Sequence, residues 1–374
     1  MPTQTIDMNN VTSVTFNNQT VNGIKLNGTS IWTRAHNTYF KVIDTFSQQF
    51  TLSTNNNAKN WDGTIEYSTD LNTWTIWDGT SAISSSNNGT LYLRGKNNTY
   101  LTGGNSSSVS KYWVFSGEHA KSVSGQNIEN LLDNEIVGAG MHPTMASYAF
   151  AYLFANSTNI PVSPDLPATT LAQNCYNRMF YGCTALTTAP NLPATTLANN
   201  CYNGMFYGCT ALTTAPNLPA TTLANSCYNG MFSRCTALTT APNLPATTLA
   251  QSCYGNMFSG CTALTTAPNL PATTLANNCY RDMFNGCTAL TTLPALPATT
   301  LFPYCYYNMF YGCKNIKLST TSEGIYVNEY RIPPKETGTT ANNALTKMFT
   351  NTGGTFADTP TVNITYYTSN TIVP

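Results

Sequence analysis

The chain has 374 residues, 16 basic and 16 acidic, and only 9% are charged against 41% hydrophobic. A zero net charge with so few charges leaves no basic field for nucleic acid or an anionic membrane surface. The first ten residues lack a basic segment leading into an apolar run, and no run of 18 apolar residues occurs, so neither a secretory signal nor a membrane-spanning helix is expected.

Residues 1–35 read as a short β attachment segment. Val14 and Phe16 alternate with polar neighbours, and Asn22-Gly23 and Asn27-Gly28 are tight-turn dipeptides between apolar residues, the strongest local hairpin signal. Such a piece is too small to bury its own core, so it is expected to dock on another protein or domain.

Residues 36–125 have the spacing of a β-sandwich-like domain. The strands expected are TYFKVID, QFTLST, GTIEYST, TWTIW, TLYLRGK and KYWVFSG, separated by Asn, Gly, Ser and Asp clusters. Trp61, Trp74, Trp77 and Trp113 lie here and read either as core or as flat platforms for sugar rings. From Gln126 the pattern changes. NIENLLDN and PTMASYAFAYLFAN read as helical, and residues 126–165 as a linker helix and N-terminal capping repeat. Shifted by 26 residues, Leu153-Phe154 fall on Met179-Phe180, while Ala149 and Ser157 stand at two cysteine positions.

Residues 166–321 hold six repeats of 26 residues without insertion, starting at Leu166, Leu192, Leu218, Leu244, Leu270 and Leu296. A fixed period of this length marks a solenoid, in which each unit buries its apolar face against its neighbours. All twelve cysteines lie here as C-x7-C pairs, Cys175/Cys183 through Cys305/Cys313. In a helix the two Cα atoms of a pair stand about 12 Å apart, and a disulfide needs roughly 4.4–6.8 Å. The spacing is not a usual zinc pattern. Two columns of reduced, buried thiols are therefore expected, with bridges between neighbouring repeats as the alternative.

Within a unit Ala172, Cys175, Tyr176, Met179, Phe180 and Cys183 are nearly fixed among the six, whereas Gln173, Asn174, Asn177, Arg178, Tyr181 and Gly182 mark the variable positions. This spacing predicts an amphipathic helix over Leu171–Cys183, capped by Thr169 or Thr170. The Thr-rich remainder predicts a strand ladder through Thr184–Ala189, ending at Pro190. Strands stack at about 4.8 Å and helices at about 8–10 Å, so the array should curve with its strands on the concave face. The fold class expected is thus α+β: N-terminal all-β modules followed by a curved leucine-rich-repeat-like solenoid with a strand and a short helix per repeat. Residues 322–374 read as an insertion and a C-terminal capping repeat, with Met348-Phe349 on Met309-Phe310, Ala344 and Thr352 in place of the cysteines, and a closing strand in TVNITYYTSNTIV.

The text FYGCTALTTAP…LPATTLA resembles the BspA-like leucine-rich repeats of gut Bacteroidales and their bacteriophages, crAss-like phages included, over about residues 141–374. The module carrying YSTDLNTW, LYLRGKNNTYL and SGQNIENLL is similar to the β-domain that often precedes such repeats, and VNGIKLNGTSIW resembles the start of phage tail and fibre proteins. The resemblance implies surface display, adhesion and receptor recognition: a virion protein, in capsid or tail fibre, held by its N-terminal segment to other virion proteins and facing a host surface glycan or protein. A homotrimer is the assembly such fibres commonly form. A bacterial cell-surface adhesin and a purely structural spacer are the other readings.

No nucleophile, zinc, phosphate-binding or calcium-binding motif occurs, and His36, His119 and His142 stand apart. Neither an enzyme nor a cofactor is expected. The large or charged residues on the variable face are the candidate ligand-binding set: Tyr181, Tyr207, Arg234, Arg281, Asp282, Tyr304, Tyr307 and Tyr311, with rings to stack on sugars. The Thr-rich strand face is the second candidate surface.

Overall fold

The computed structural model describes residues 39–102 and 111–374, together with the backbones of four strands between residues 14 and 33. Those four form two antiparallel pairs, Val14–Phe16 with Gln19–Val21 and Gly23–Leu26 with Thr29–Thr33. What the first segment docks on, and His36, lie outside the described residues.

All six strands expected in the next region are present. A five-stranded antiparallel sheet runs Lys121–Ser122, Phe40–Asp44, Thr90–Lys96, Thr64–Ser68, Thr75–Ile76, and a three-stranded sheet runs Trp113–Phe115, Thr51–Thr54, Ile83–Ser84. Alternation buries Phe40, Val42, Ile65, Leu91 and Leu93 from the first sheet and Leu52, Trp113 and Phe115 from the second. Trp61, Trp77 and Trp113 are core, with ring centroids 5.0 and 5.7 Å apart along the series. Only Trp74 is half-exposed, and Arg94 covers its ring at 4.0 Å. The sugar-platform reading therefore fails for the three buried indoles.

Helix is scarce among the described residues. It comprises the 3-10 turn Ile128–Leu131 and the short α-helix Asn134–Gly138, capped by the Asp133 carboxylate on the amides of Glu135 and Ile136. The helix expected over Leu171–Cys183 is absent, and so is the one expected through PTMASYAFAYLFAN. Both segments are unbroken series of tight turns.

The second unit shows why. The amides of Cys201, Asn203, Met205, Tyr207 and Cys209 donate to carbonyls three residues back, at 3.0–3.2 Å. The intervening amides of Asn200, Tyr202, Gly204, Phe206 and Gly208 donate out of the unit, to the carbonyls of Asn225, Cys227, Asn229, Met231 and Ser233 at 2.8–3.0 Å. An α-helix would use every amide internally; here every second one ties a unit to the next. The carbonyls alternate likewise, so no backbone polar group of residues 200–207 is left over. Every second turn places its third residue at positive φ, as a type II turn demands: Asn200 (55°), Gly204 (58°) and Gly208 (72°) here, and Asn174, Arg178 and Gly182 in the first unit.

The geometry points two residues inward and two outward in each four. Cys-Tyr and Met-Phe therefore face the core together and are fully buried in all six units. Their rings form two columns. Phe150 and the Tyr series from Tyr176 to Tyr306 stack at 5.6–5.9 Å between centroids. The Phe series from Phe154 to Phe349 stacks at 5.5–5.8 Å. Each such pair adds about 0.5–1.5 kcal/mol beyond the area it buries.

The Thr-rich side departs from expectation too. In place of a ladder through Thr184–Ala189, single parallel bridges link Thr188, Thr214, Thr240 and Thr266. A longer parallel pair forms only where the tail strand Thr371–Val373 lies along Thr292–Pro294. With no helix on one side, the spacing of about 8–10 Å from which the curvature was expected is absent.

Both ends are closed by other structure. Residues 148–156 bond to 173–181 with the same alternation as the repeats. On the far side of that segment, the amides of Leu101 and Trp113 reach the carbonyls of Ala149 and Leu153, and Phe115 stacks on Phe154. The buried pair Lys121–Asp44, at 3.0 Å, holds the edge strand whose Lys121 amide bonds Asn159. At the other end residues 344–350 accept from 306–312. Tyr330, on a three-stranded sheet of Leu318–Ser319, Thr365–Thr368 and Asn328–Arg331, meets Phe349 edge-on.

The left-handed positions give a test that separates turns from helix. Asn256 sits at φ 55°. Asn256→Ala should destabilise the protein by about 1 kcal/mol and Asn256→Gly should not. A helix would reverse that order. Urea unfolding midpoints of the two variants decide between them.

Candidate functional site

The outward positions of the turns form one face, and they carry the residues picked out from the sequence. Tyr181 and Tyr207 lie one period apart and stack at 4.9 Å, nearly parallel. The Arg178 guanidinium stands over Tyr152 and Tyr181 at 5.7 and 5.8 Å and donates to the Tyr152 hydroxyl at 2.6 Å. Arg234 covers Tyr207 at 5.5 Å. The result is a ridge of rings and guanidinium groups across Tyr152, Arg178, Tyr181, Tyr207 and Arg234, each cation–ring contact worth about 0.5–1 kcal/mol where exposed.

A second cluster lies nearer the C-terminal end. Arg281 reaches Tyr307 at 5.2 Å and Tyr304 at 6.0 Å, and its Nε donates to Asp282 at 3.1 Å. Asp282 also accepts from Asn285 and is 9% exposed, so its carboxylate is committed to the fold and does not lie free on the outer face. The Tyr304 hydroxyl accepts from Asn343 at 3.0 Å. Tyr311 is half-buried and belongs to neither cluster.

Between the clusters the surface dips. One basin of about 280 Å³ is lined by Arg178, Tyr207 and Arg234 with Asn203, Asn229 and Asn256, over a floor that includes Gly204 and Gly230. A second, of about 290 Å³, shares Asn229 and Asn256 and ends at Arg281 and Asp282. A Cβ at Gly230 would meet nothing within 4 Å. The corresponding residue is Arg178 in the first unit and Asp282 in the fifth, so the trough exists because the units between carry smaller side chains. Tyr152, Arg178 and the three asparagines were not in the set read from the sequence. The signal for them is the change of residue from unit to unit at two adjacent outward positions, those of Asn177 and Arg178 in the first unit.

Two other features carry chemistry. The Glu129 carboxylate is almost fully buried beside a cavity of about 320 Å³ lined also by Pro143, Met145 and Leu171, and the exposed His142 meets it at 2.8 Å. Burial raises the Glu129 carboxyl above the ordinary carboxylate range, against the lowering effect of His142. The Thr-rich face holds a shallow groove of about 330 Å³ along residues 187–191 and 213–217. Among the described residues no group of three His, Cys, Asp or Glu side chains is placed to hold a metal, and no helix is long and apolar enough to cross a membrane.

The cysteines form two columns of free, buried thiols. In the second column each Sγ donates to the carbonyl of the preceding unit's Phe at 2.9–3.1 Å, from Cys183 to Phe154 and so on to Cys313 and Phe284. Burial pushes the thiols of Cys183, Cys201, Cys235, Cys287 and Cys305 up to about 12. Both columns serve as small apolar side chains, the second also donating to a carbonyl, and not as nucleophiles.

No family profile, curated protein or solved structure matches the chain. The functional reading therefore rests on the sequence and the geometry.

A consequence follows for the thiols. In native protein at pH 8 a thiol reagent should label none of the twelve cysteines, and all twelve should react after unfolding. Prompt labelling of the native protein, or disulfides found by non-reducing peptide mapping, would contradict the buried columns.

Proposed function

We propose that the chain is a display module, a leucine-rich-repeat-type solenoid whose outer turn face adheres to a host cell surface, carried on the virion of a phage that infects Bacteroidales. The observation that carries the adhesive reading is the division of labour within each unit. The inward pairs are buried and the backbone is fully bonded, while the outward positions change from unit to unit and assemble rings and guanidinium groups from several units into one ridge. Half-exposed rings flanked by exposed cations suit contact with sugars or with polar protein surfaces. The virion reading is supported by the resemblance of the repeats and of VNGIKLNGTSIW, which would place residues 1–35 against other virion proteins. The unit proposed is a coil of consecutive turns, tighter than the strand and helix that the resemblance implies.

The test has two arms. Peptides of this chain should be found by mass spectrometry in gradient-purified particles. Purified protein should adsorb to Bacteroidales cells and compete with the particles for them, and joint replacement of Tyr181, Tyr207 and Arg234 by alanine should reduce adsorption about tenfold or more. Unchanged adsorption by that variant would remove the ridge from the account, and absence from the particles would remove the virion.

A further inference from the structure

The lining of the trough beside the ridge stands out from the composition of the chain. Charged residues make up 9% of the chain, yet two arginines stand at this one basin with no carboxylate in its lining. Among the described residues neither Arg178 nor Arg234 makes an ion pair. Arg178 spends one N–H on the Tyr152 hydroxyl, and Arg234 makes only its ring contact with Tyr207. Both side chains are exposed, so their remaining donors point to solvent. Among the described residues the Asn203 and Asn256 amides have no hydrogen-bond partner, and Asn229 uses one N–H, on the Ser252 carbonyl. The face thus offers two guanidinium groups, from the first and third units, with unused amides of the second to fourth units beside them and the half-exposed edge of the Tyr207 ring alongside. The far basin is different in kind, because Asp282 neutralises Arg281 there.

We infer that this trough is a binding site for an acidic oligosaccharide, a short run of sugars of which at least one bears a carboxylate. Each part follows from the lining. A planar carboxylate is what an unpaired guanidinium binds best, through two parallel N–H···O bonds. Sugar hydroxyls pair with primary amides, which both donate and accept. The Tyr207 ring, its faces taken by Tyr181 and Arg234, offers the sugars its edge and its hydroxyl, which both donates and accepts. Length also fits. The lining runs from Arg178 in the first unit to Asn256 in the fourth, and the three steps between those coils, at about 4.8 Å each, match about three sugar residues. A neutral glycan would leave the two cations unused, and a cationic ligand would be repelled by them.

The inference rests on the adhesive reading of this face, and the experiment keeps the two apart. Full-length protein is applied to an array of oligosaccharides carrying uronic or sialic acids beside their neutral counterparts, and in parallel to host cells. Binding should concentrate on the acidic members and weaken with added salt. Arg234→Gln should reduce it about tenfold. Gly230→Asn should abolish it by filling the floor; Asn256 holds the same left-handed conformation at the corresponding position, so the variant should fold as the parent does, which its thermal unfolding verifies. Preference for neutral sugars, no binding to the array, or acidic-glycan binding untouched by both substitutions overturns the inference. Array binding without cell adsorption upholds the site and overturns the adhesive reading; cell adsorption that acidic oligosaccharides do not compete upholds adhesion and overturns the site.

Discussion

The alternation of amide hydrogen bonds, one inside the unit and the next across to its neighbour, is the constraint on which the rest of the structure depends. It makes each unit a run of turns, places residues such as Asn200, Gly204 and Gly208 at positive φ, and turns side chains inward in adjacent pairs. It also explains the exact period. A single inserted residue would exchange the inward and outward amides and move every later pair off the core, as a one-residue slip does in a sheet. Because identical residues must then stack on themselves, the core is built from side chains that tolerate self-stacking: offset rings in two columns, with Met and Cys as adaptable filler.

Such an array has the difficulty of any exposed sheet edge, since its first and last units present unpaired amides and carbonyls. The two ends solve it differently. At the start, the β-domain lends the amides of Leu101 and Trp113 and extends the Phe column through Phe115. At the finish, the chain turns back, lays Thr371–Val373 beside Thr292–Pro294 and closes the Phe column with Tyr330. Loss of both cysteines in the terminal segments fits this arrangement. At the start Ser157 replaces the second thiol, next to the β-domain, and at the finish Thr352 turns its hydroxyl to its own unit's Phe349 carbonyl.

Much of this was legible in the sequence. The 26-residue period, the six strands of the β-domain and the buried set all follow from pattern. The conformation of the unit was not read correctly, because residues spaced i, i+4, i+8 fit a period of four about as well as one of 3.6 over three turns. The discriminating signal was present in the residues between. Asn, Gly, Ser and Asp recur every fourth position in CYNGMFYGC and its copies, and two glycines in a three-turn helix would cost about 2 kcal/mol. The functional face was half legible. Tyr181, Tyr207 and Arg234 were picked out as large variable side chains, and they do come together. The trough was not, because it is defined by small residues in units two to four, whose effect appears only when the units are stacked. Asp282 misled, since its charge suggested exposure while its partners Arg281 and Asn285 hold it in the fold.

A surface of this kind separates structure from recognition. The inward pairs are fixed by stacking, and the outward positions are free to vary as long as every fourth residue accepts the left-handed conformation. The claim beneath all of it is the hydrogen-bond pattern, and it can be measured directly. Couplings transmitted across hydrogen bonds in the NMR spectrum of deuterated protein identify which carbonyl each amide meets. The structure predicts a coupling from the Tyr228 amide to the Cys253 carbonyl of the next unit, and one from the Cys227 amide to Ala224, three residues back. Couplings from these amides to carbonyls four residues back would show helices and contradict the account.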